Sequence, residues 1–420
     1  MRGVFPTLGR LGILSGIAAS CFACSVLSHE ALVDALWDVK LKQVLLSRYP
    51  GASESELKAA HGYAYGGSIV QDLGYYPHGS KPFSDLTHYV RSGDFIVSLV
   101  TEARDMNEFA FALGALSHYA SDLDVHRNAT NPGEAMLYPA LERKFGPIIT
   151  YEKDPVAHLK TEFGFDVLEV AKGNFAPEAY HDFIGFYVAE SLLGRAFQRT
   201  YGLELSDLFS DFHRAVSSYR HAVSRTIPQA TRIAWAERSK EIQTANPGIS
   251  RGKFIYSMNR SSYEHEWGRQ YDRPTVRERA LAILLKLLPP VGPLKALRLQ
   301  MPTPPVETLF VQSLNKAARQ YDSQLDAARS GTLRLPDWNY DVGQESKPGT
   351  YGLQDKAYAY WLGKLAEGEY RAITPAIRDT LLTYYQDQNV AFETKKTPRD
   401  WSRLLEQLQR LKSQDLQAAR

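Results

Sequence analysis

His118, Asp122 and His126 stand four residues apart in a single run of the chain. On an α-helix four residues turn about 400°, so successive side chains drift by only ~40°. All three therefore leave one narrow stripe of one helix. Two imidazoles and a carboxylate arranged in this way can hold a zinc ion. The segment before them, Phe109 to Leu116, is almost wholly apolar. The ligands thus emerge from a buried helix, where an unpaired polar cluster is costly.

The other chemistry-bearing residues gather nearby. Of the eleven histidines, eight lie between residues 29 and 181. His158 and Glu162 repeat the four-residue spacing. His88, Asp72 and His29 extend the set. A single pair at this spacing also suits an ordinary helix surface. Two such helices with flanking histidines and aspartates make a more specific pattern. His61 and His78 read as structural or substrate-facing.

The elements that must position these residues are helical. Ser53 and Glu56 form a capping box for a helix closing at Asp72, followed by a loop over 74–82. Asp105 with Glu108 opens the helix that carries His118. Asp154-Pro155 opens the one that carries His158. Helical patterns recur at 177–200, 205–243, 352–366 and 400–417. Alternating strand patterns are scarce, which predicts an all-α chain. Proline and glycine cluster at 289–305, and 335–351 is polar and aromatic. Both stretches read as linkers or long loops. A soft boundary near residue 240 separates residues 24–240, which carry the chemistry, from an extension over 241–420 of unassigned role.

Hydrophobic residues make up 44 % of the 420-residue chain and charged residues 23 %, as in ordinary globular proteins. A net charge of +2 gives no bulk attraction for nucleic acid. Arg2 and Arg10 precede an apolar run from Leu11 to Leu27 with small residues at Ala23 and Ser25. This reads as a signal peptide over 1–23, with an uncleaved anchor as the alternative. The expected location is secreted or periplasmic. The two cysteines, Cys21 and Cys24, both fall in this stretch, so a lipid anchor through Cys24 is a further option, although the lipobox is poor.

The order His29, Asp72, His88, His118-xxx-Asp122, His126, His158-xxx-Glu162 resembles the zinc-dependent phospholipase C family. Its relatives are the single-strand-specific zinc nucleases. The resemblance covers roughly residues 24–200 and implies an all-helical fold with two or three zinc ions. It implies that Asp72, His88, His118 and Asp122 hold one zinc, and that His126, His158 and Glu162 hold a second. Asp122 would bridge to a third, completed by His29 and the mature N-terminal residue. In the family that residue is usually tryptophan, five positions before the histidine. Here the position is Cys24.

Three Zn²⁺ opposed by Asp72, Asp122, Glu162 and a hydroxide leave a surplus of about two positive charges, which suits a phosphodiester anion. Zinc brings the pKa of a bound water to ~7. The resemblance makes Asp72 the candidate general base. Tyr63, Tyr65, Tyr75 and Tyr76 are candidates for substrate contact, able to stack on a base or cage a quaternary ammonium, with core packing as the alternative. Basic residues near the site are scattered, which favours a phospholipid or small phosphodiester over nucleic acid. The stretch Arg277–Leu288 is amphipathic and fits either its own protein's core or peripheral membrane contact. No protein partner is predicted. The reading is a secreted phospholipase C-like hydrolase. A nuclease of the same fold and a non-catalytic metal-stabilised binding protein are the alternatives.

Overall fold

The structure, a computed structural model, describes residues 26–172, 186–223, 227 and 300–414. The leader with Cys24, the boundary near 240 and the Arg277–Leu288 stretch lie outside the described residues. The chain is all-α. Its helices are α1 (Val26–Leu36), α2 (Lys42–Arg48), α3 (Glu54–Ser68), α4 (Lys81–Tyr89), α5 (Ser92–Glu102), α6 (Met106–Val125), α7 (Asn131–Leu137), α8 (Pro139–Phe145) and α9 (Pro155–Ala171). They continue with α10 (Glu190–Tyr201), α11 (Phe212–His221), α12 (Pro304–Arg329), α13 (Gly352–Glu367), α14 (Pro375–Tyr384) and α15 (Pro398–Lys412). The strands among the described residues are β1 (Trp338–Asn339) and β2 (Gln344–Glu345), an antiparallel pair with Trp338 opposite Glu345. No helix among the described residues is long and apolar enough to cross a membrane.

Helix α6 is the spine. Asp105 caps it by accepting the Glu108 N–H at 2.9 Å. Every residue from Phe109 to Val125 is buried. A helix apolar on all sides must be surrounded by others, and α3 and α12 do this. The α3–α6 contact is close because both faces carry glycine. A Cβ on Gly114 would lie 2.0 Å from the Ala64 carbonyl oxygen, and one on Gly67 would lie 1.9 Å from that of Phe111.

Helix α3 begins at the expected capping box, with Glu56 Oε2 accepting the Ser53 N–H at 2.8 Å. It stops at Ser68 rather than at Asp72, and Val70–Tyr75 forms a 3₁₀ turn. Tertiary bonds replace the lost helical ones. The Gln71 amide donates to the Ala115 carbonyl of α6, and Ser84 Oγ of α4 donates to the Gln71 carbonyl. The turn places Asp72 between those two helices.

The linker expected over 289–305 ends differently. Pro304 and Pro305 occupy the first positions of the 26-residue helix α12. Proline suits a helix start because the missing N–H is unneeded there. The buried face of α12 runs Val306, Phe310, Leu314, Ala317, Tyr321, Leu325 and Ala328. This spacing lays one stripe on α6, where Tyr321 donates to the Leu113 carbonyl at 2.8 Å. Phe310 stacks on Phe165 at 4.3 Å. Further along, Trp361 Nε1 donates to the Tyr201 carbonyl at 2.7 Å. One hydrophobic core thus runs from Val26 to Leu411.

Candidate metal centre

Four helices and two irregular turns deliver the polar cluster. His29 comes from α1, whose first turn is held from outside. The Asp166 carboxylate on α9 accepts the Leu27 and Ser28 N–H groups at 3.0 and 3.1 Å. Asp166 lies one turn beyond Glu162, so α9 carries ligand candidates and also anchors the helix that presents His29. Asp72 comes from the 3₁₀ turn, His88 from α4, and His118 and Asp122 from α6. His126 opens a π-helical turn (His126–Thr130) at the end of α6. The wider turn lets the chain leave α6 toward α9, where His158 and Glu162 stand.

Asp122 is the centre. Its Oδ1 lies 3.3 Å from His29 Nε2 and 3.8 Å from His126 Nε2. Its Oδ2 lies 3.0 Å from His118 Nε2 and 3.6 Å from His88 Nε2. His88 Nε2 is also 3.3 Å from Asp72 Oδ1. Beside this group, His126 and His158 present Nε2 to Glu162 Oε1 at 2.7 and 3.5 Å. Three sets each bring ligand atoms within 4.8 Å of one another: His29, His118 and Asp122; Asp72, His88 and His118; His126, His158 and Glu162.

The opposite ring nitrogens explain the orientation. His88 Nδ1 meets the Ser84 carbonyl at 2.8 Å, and His118 Nδ1 meets the Ser68 carbonyl at 2.9 Å. A carbonyl only accepts, so both Nδ1 atoms carry hydrogen. In the neutral rings this leaves the Nε2 lone pairs facing the cluster. His126 and His158 instead face carboxylates through Nδ1, Asp341 and Glu134 respectively, each at 3.6 Å. That is ion-pair range rather than a formed hydrogen bond.

The residues fit a cation. His118 Nε2 lies 3.0 Å from a carboxylate oxygen yet makes no hydrogen bond, and neither oxygen of Asp72 has a hydrogen-bond partner. A lone pair this close to a carboxylate is repulsive unless a proton or a cation lies between them. Five carboxylates, Asp72, Asp122, Glu134, Glu162 and Asp341, are at most 3 % exposed. Among the described residues, their ion-pair partners are all histidines rather than lysines or arginines. Buried charge on this scale calls for positive countercharge.

The protonation equilibria reflect the same imbalance. Burial opposes charge on His88, but Asp122 and Asp72 outweigh it and push the ring up to about 10. His126 rises to about 9 and His158 to about 10, again against burial, through Asp122 and Glu162 for the first and Glu162 and Glu134 for the second. His29 moves the other way, to about 4, because burial and the neighbouring His118 disfavour its cation. Burial alone would raise Asp122 and Glu162, but the surrounding imidazoles hold both below the usual carboxylate range. Glu134 is pushed up to about 7 by burial. Zinc competes with protons for such ligands.

The eight candidate ligands from the sequence, His29, Asp72, His88, His118, Asp122, His126, His158 and Glu162, thus converge. Of the four tyrosines, three do not. Only Tyr75 reaches the cluster, its ring 6.1 Å from His88 and 6.0 Å from Tyr151. Tyr65 is fully buried and its hydroxyl donates to Asp34. Tyr76 packs edge-on against Tyr219, and Tyr63 packs on Tyr187. For Tyr65 and Tyr76, core packing is the observed role. His61 pairs with Asp34 and stacks on Trp37, away from the cluster. Sequence reasoning missed Glu134, Tyr151, Tyr340 and Asp341. The Tyr151 ring stands edge-on to His158 at 5.6 Å, and the Tyr340 ring lies 5.1 Å from His88.

A model of the zinc-dependent phospholipase C family matches residues 28–211. This segment is similar to that family. The match takes in the eight candidate ligands and ends well before Tyr340 and Asp341. No curated protein and no solved structure matches the chain. The match to the zinc-dependent phospholipase C family gives the cluster its expected metal, and the unpartnered Nε2 of His118 and carboxylate of Asp72 agree with it independently.

Proposed function

We propose that the protein is a zinc metallohydrolase that cleaves the phosphodiester of a phospholipid and releases diacylglycerol. The observation that carries this reading is the set of three buried ligand groups, each with an imidazole within 3.8 Å of Asp122. In the proposal Asp72, His88, His118 and Asp122 hold one ion, and His126, His158 and Glu162 hold another. His29 and Asp122 serve a third, together with the mature N-terminus. When bound, zinc supplies Lewis acidity and a water whose pKa falls to ~7.

The chain's own residues do the rest. Asp72, with neither oxygen engaged by a hydrogen bond, is the group placed to accept a proton from water. His88 and His118 stay fixed because their Nδ1–H groups are committed to backbone carbonyls. Tyr75 stands beside His88 and Tyr151 beside His158, and aromatic rings at the cluster would suit a quaternary ammonium headgroup. We also propose that residues 1–23 are removed as a leader and that the enzyme acts outside the cytoplasm. Mass spectrometry of the mature N-terminus checks this.

The test is an assay of the zinc-loaded protein on phosphatidylcholine vesicles, a small phosphodiester reporter and single-stranded DNA. The reading expects diacylglycerol release, abolished by Asp72→Asn. Cleavage of DNA without diacylglycerol would instead establish a nuclease. Zinc binding with no turnover of any of the three would establish a binding protein.

A further inference from the structure

We infer that the segment beyond the family match completes the metal centre. Asp341 is the positioning residue that aims His126, and Tyr340 braces His88. The inference rests on the zinc reading above and adds to it a residue from outside the matched segment.

Asp341 is 3 % exposed, and its two oxygens are used differently. Oδ2 accepts the hydroxyls of Tyr89, at 2.8 Å, and of Tyr351. Oδ1 is left to face His126 Nδ1 at 3.6 Å. The carboxylate is therefore pinned on one side and directed at the imidazole on the other. A carboxylate behind a ligating histidine fixes its tautomer and raises its basicity.

The backbone is held as firmly. The Asp341 carbonyl accepts from the Asn131 side chain at 2.6 Å, and the Tyr340 N–H donates to the His88 carbonyl at 3.2 Å. The Tyr340 ring is fully buried against His88 and His118. Gly343 closes the turn at φ +58°, where a Cβ would lie 2.3 Å from the Leu123 carbonyl oxygen. A glycine tolerates both demands. Arg127 then donates to the Gly343 carbonyl at 3.2 Å, and Ser92 Oγ donates to the Trp338 carbonyl at 2.6 Å. The β1–β2 hairpin is thereby fastened to α5, to α6 and to the His126 turn.

The test is zinc stoichiometry by elemental analysis, and zinc affinity by chelator competition, on the full-length protein and Asp341→Asn. Asparagine keeps the shape and loses the charge. The expected result is about a 10–100-fold weaker affinity for one zinc, with the others unchanged. Asp355→Asn is the structural control. Asp355 is a buried carboxylate of the same segment that accepts from Gly349 N–H, Tyr384 Oη–H and Glu393 N–H, with no imidazole among these partners. It should leave every zinc affinity at the parental value. Should Asp341→Asn fail to fold, Tyr351→Phe decides, with a several-fold loss expected at the same zinc. Parental affinity in Asp341→Asn, or in Tyr351→Phe where that variant decides, overturns the inference alone. Equal losses in Asp355→Asn also overturn it. A parent protein that holds no zinc overturns the zinc reading as well.

Discussion

The two sides of the cluster hold their imidazoles by different means. His88 rests on the Ser84 carbonyl one turn back in its own helix and His118 on the Ser68 carbonyl of α3, both neutral acceptors. His126 and His158 face the carboxylates of Asp341 and Glu134. A carbonyl fixes direction alone, so His88 depends on the course of α4 and His118 on how closely α3 and α6 approach. A carboxylate also adds charge, which makes the imidazole a stronger donor. The first side is therefore set by packing and the second by electrostatics, with Asp122 shared between them.

This contrast sets out an order of expected effects. Asp122→Ala should do the most damage. It removes the group common to both sides, and elemental analysis should show loss of more than one zinc. Loss of one or none would break the picture of a shared centre. Gly114→Ala probes the packing side. Its Cβ would meet a backbone oxygen that cannot swing away, and α3 must retreat together with the Ser68 carbonyl. Thermal unfolding of the metal-free protein should show a loss of about 3 kcal/mol. A change within ~0.5 kcal/mol would mean that the helices have slack.

Glu134→Gln probes the electrostatic side. Chelator competition should find one zinc weakened about 10–100-fold, near 1.4–2.7 kcal/mol, with little change in unfolding temperature without metal. The reverse pattern would make Glu134 a packing residue. Asp337 sharpens the comparison because it is a carboxylate on the Asp341 loop with no imidazole opposite it. Burial and Asp94 push it up to about 6, against its bonds to the Asp94 and Gly93 N–H groups and the nearby Arg91. A raised carboxylate pKa means that the folded form keeps a proton which the unfolded chain has lost. Stability should therefore fall as pH rises from about 4 to about 6, by roughly 2 kcal/mol after discounting partial exposure. Asp337→Asn should flatten that part of the pH–stability curve. An unchanged curve would remove Asp337 from the account.

The parts of the molecule legible in the sequence are those governed by short-range periodicity. His118, Asp122 and His126 share a stripe because helix geometry demands it, and the same holds for His158 and Glu162. The Ser53, Asp105 and Asp154 caps mark helix starts for equally local reasons. Asp341 carries no such signal. Its role comes from a hairpin laid across α5 and α6, more than a hundred residues from the nearest ligand in the chain. The 335–351 stretch reads as a linker because its polar and aromatic residues find partners only in three dimensions. Tyr65 and Tyr75 show the same limit. Both flank Asp72 in sequence, yet Tyr65 lies on α3 in the core, whereas Tyr75 ends the 3₁₀ turn beside the cluster. Pro304 and Pro305 read as breakers, although at the first positions of a helix they start one.

The most direct test of the central claim is anomalous X-ray scattering at the zinc edge from crystals of the zinc-loaded protein. The account predicts one peak among Asp72, His88 and His118 and one among His126, His158 and Glu162, with Asp122 between them. Peaks away from these residues, or none, would contradict it.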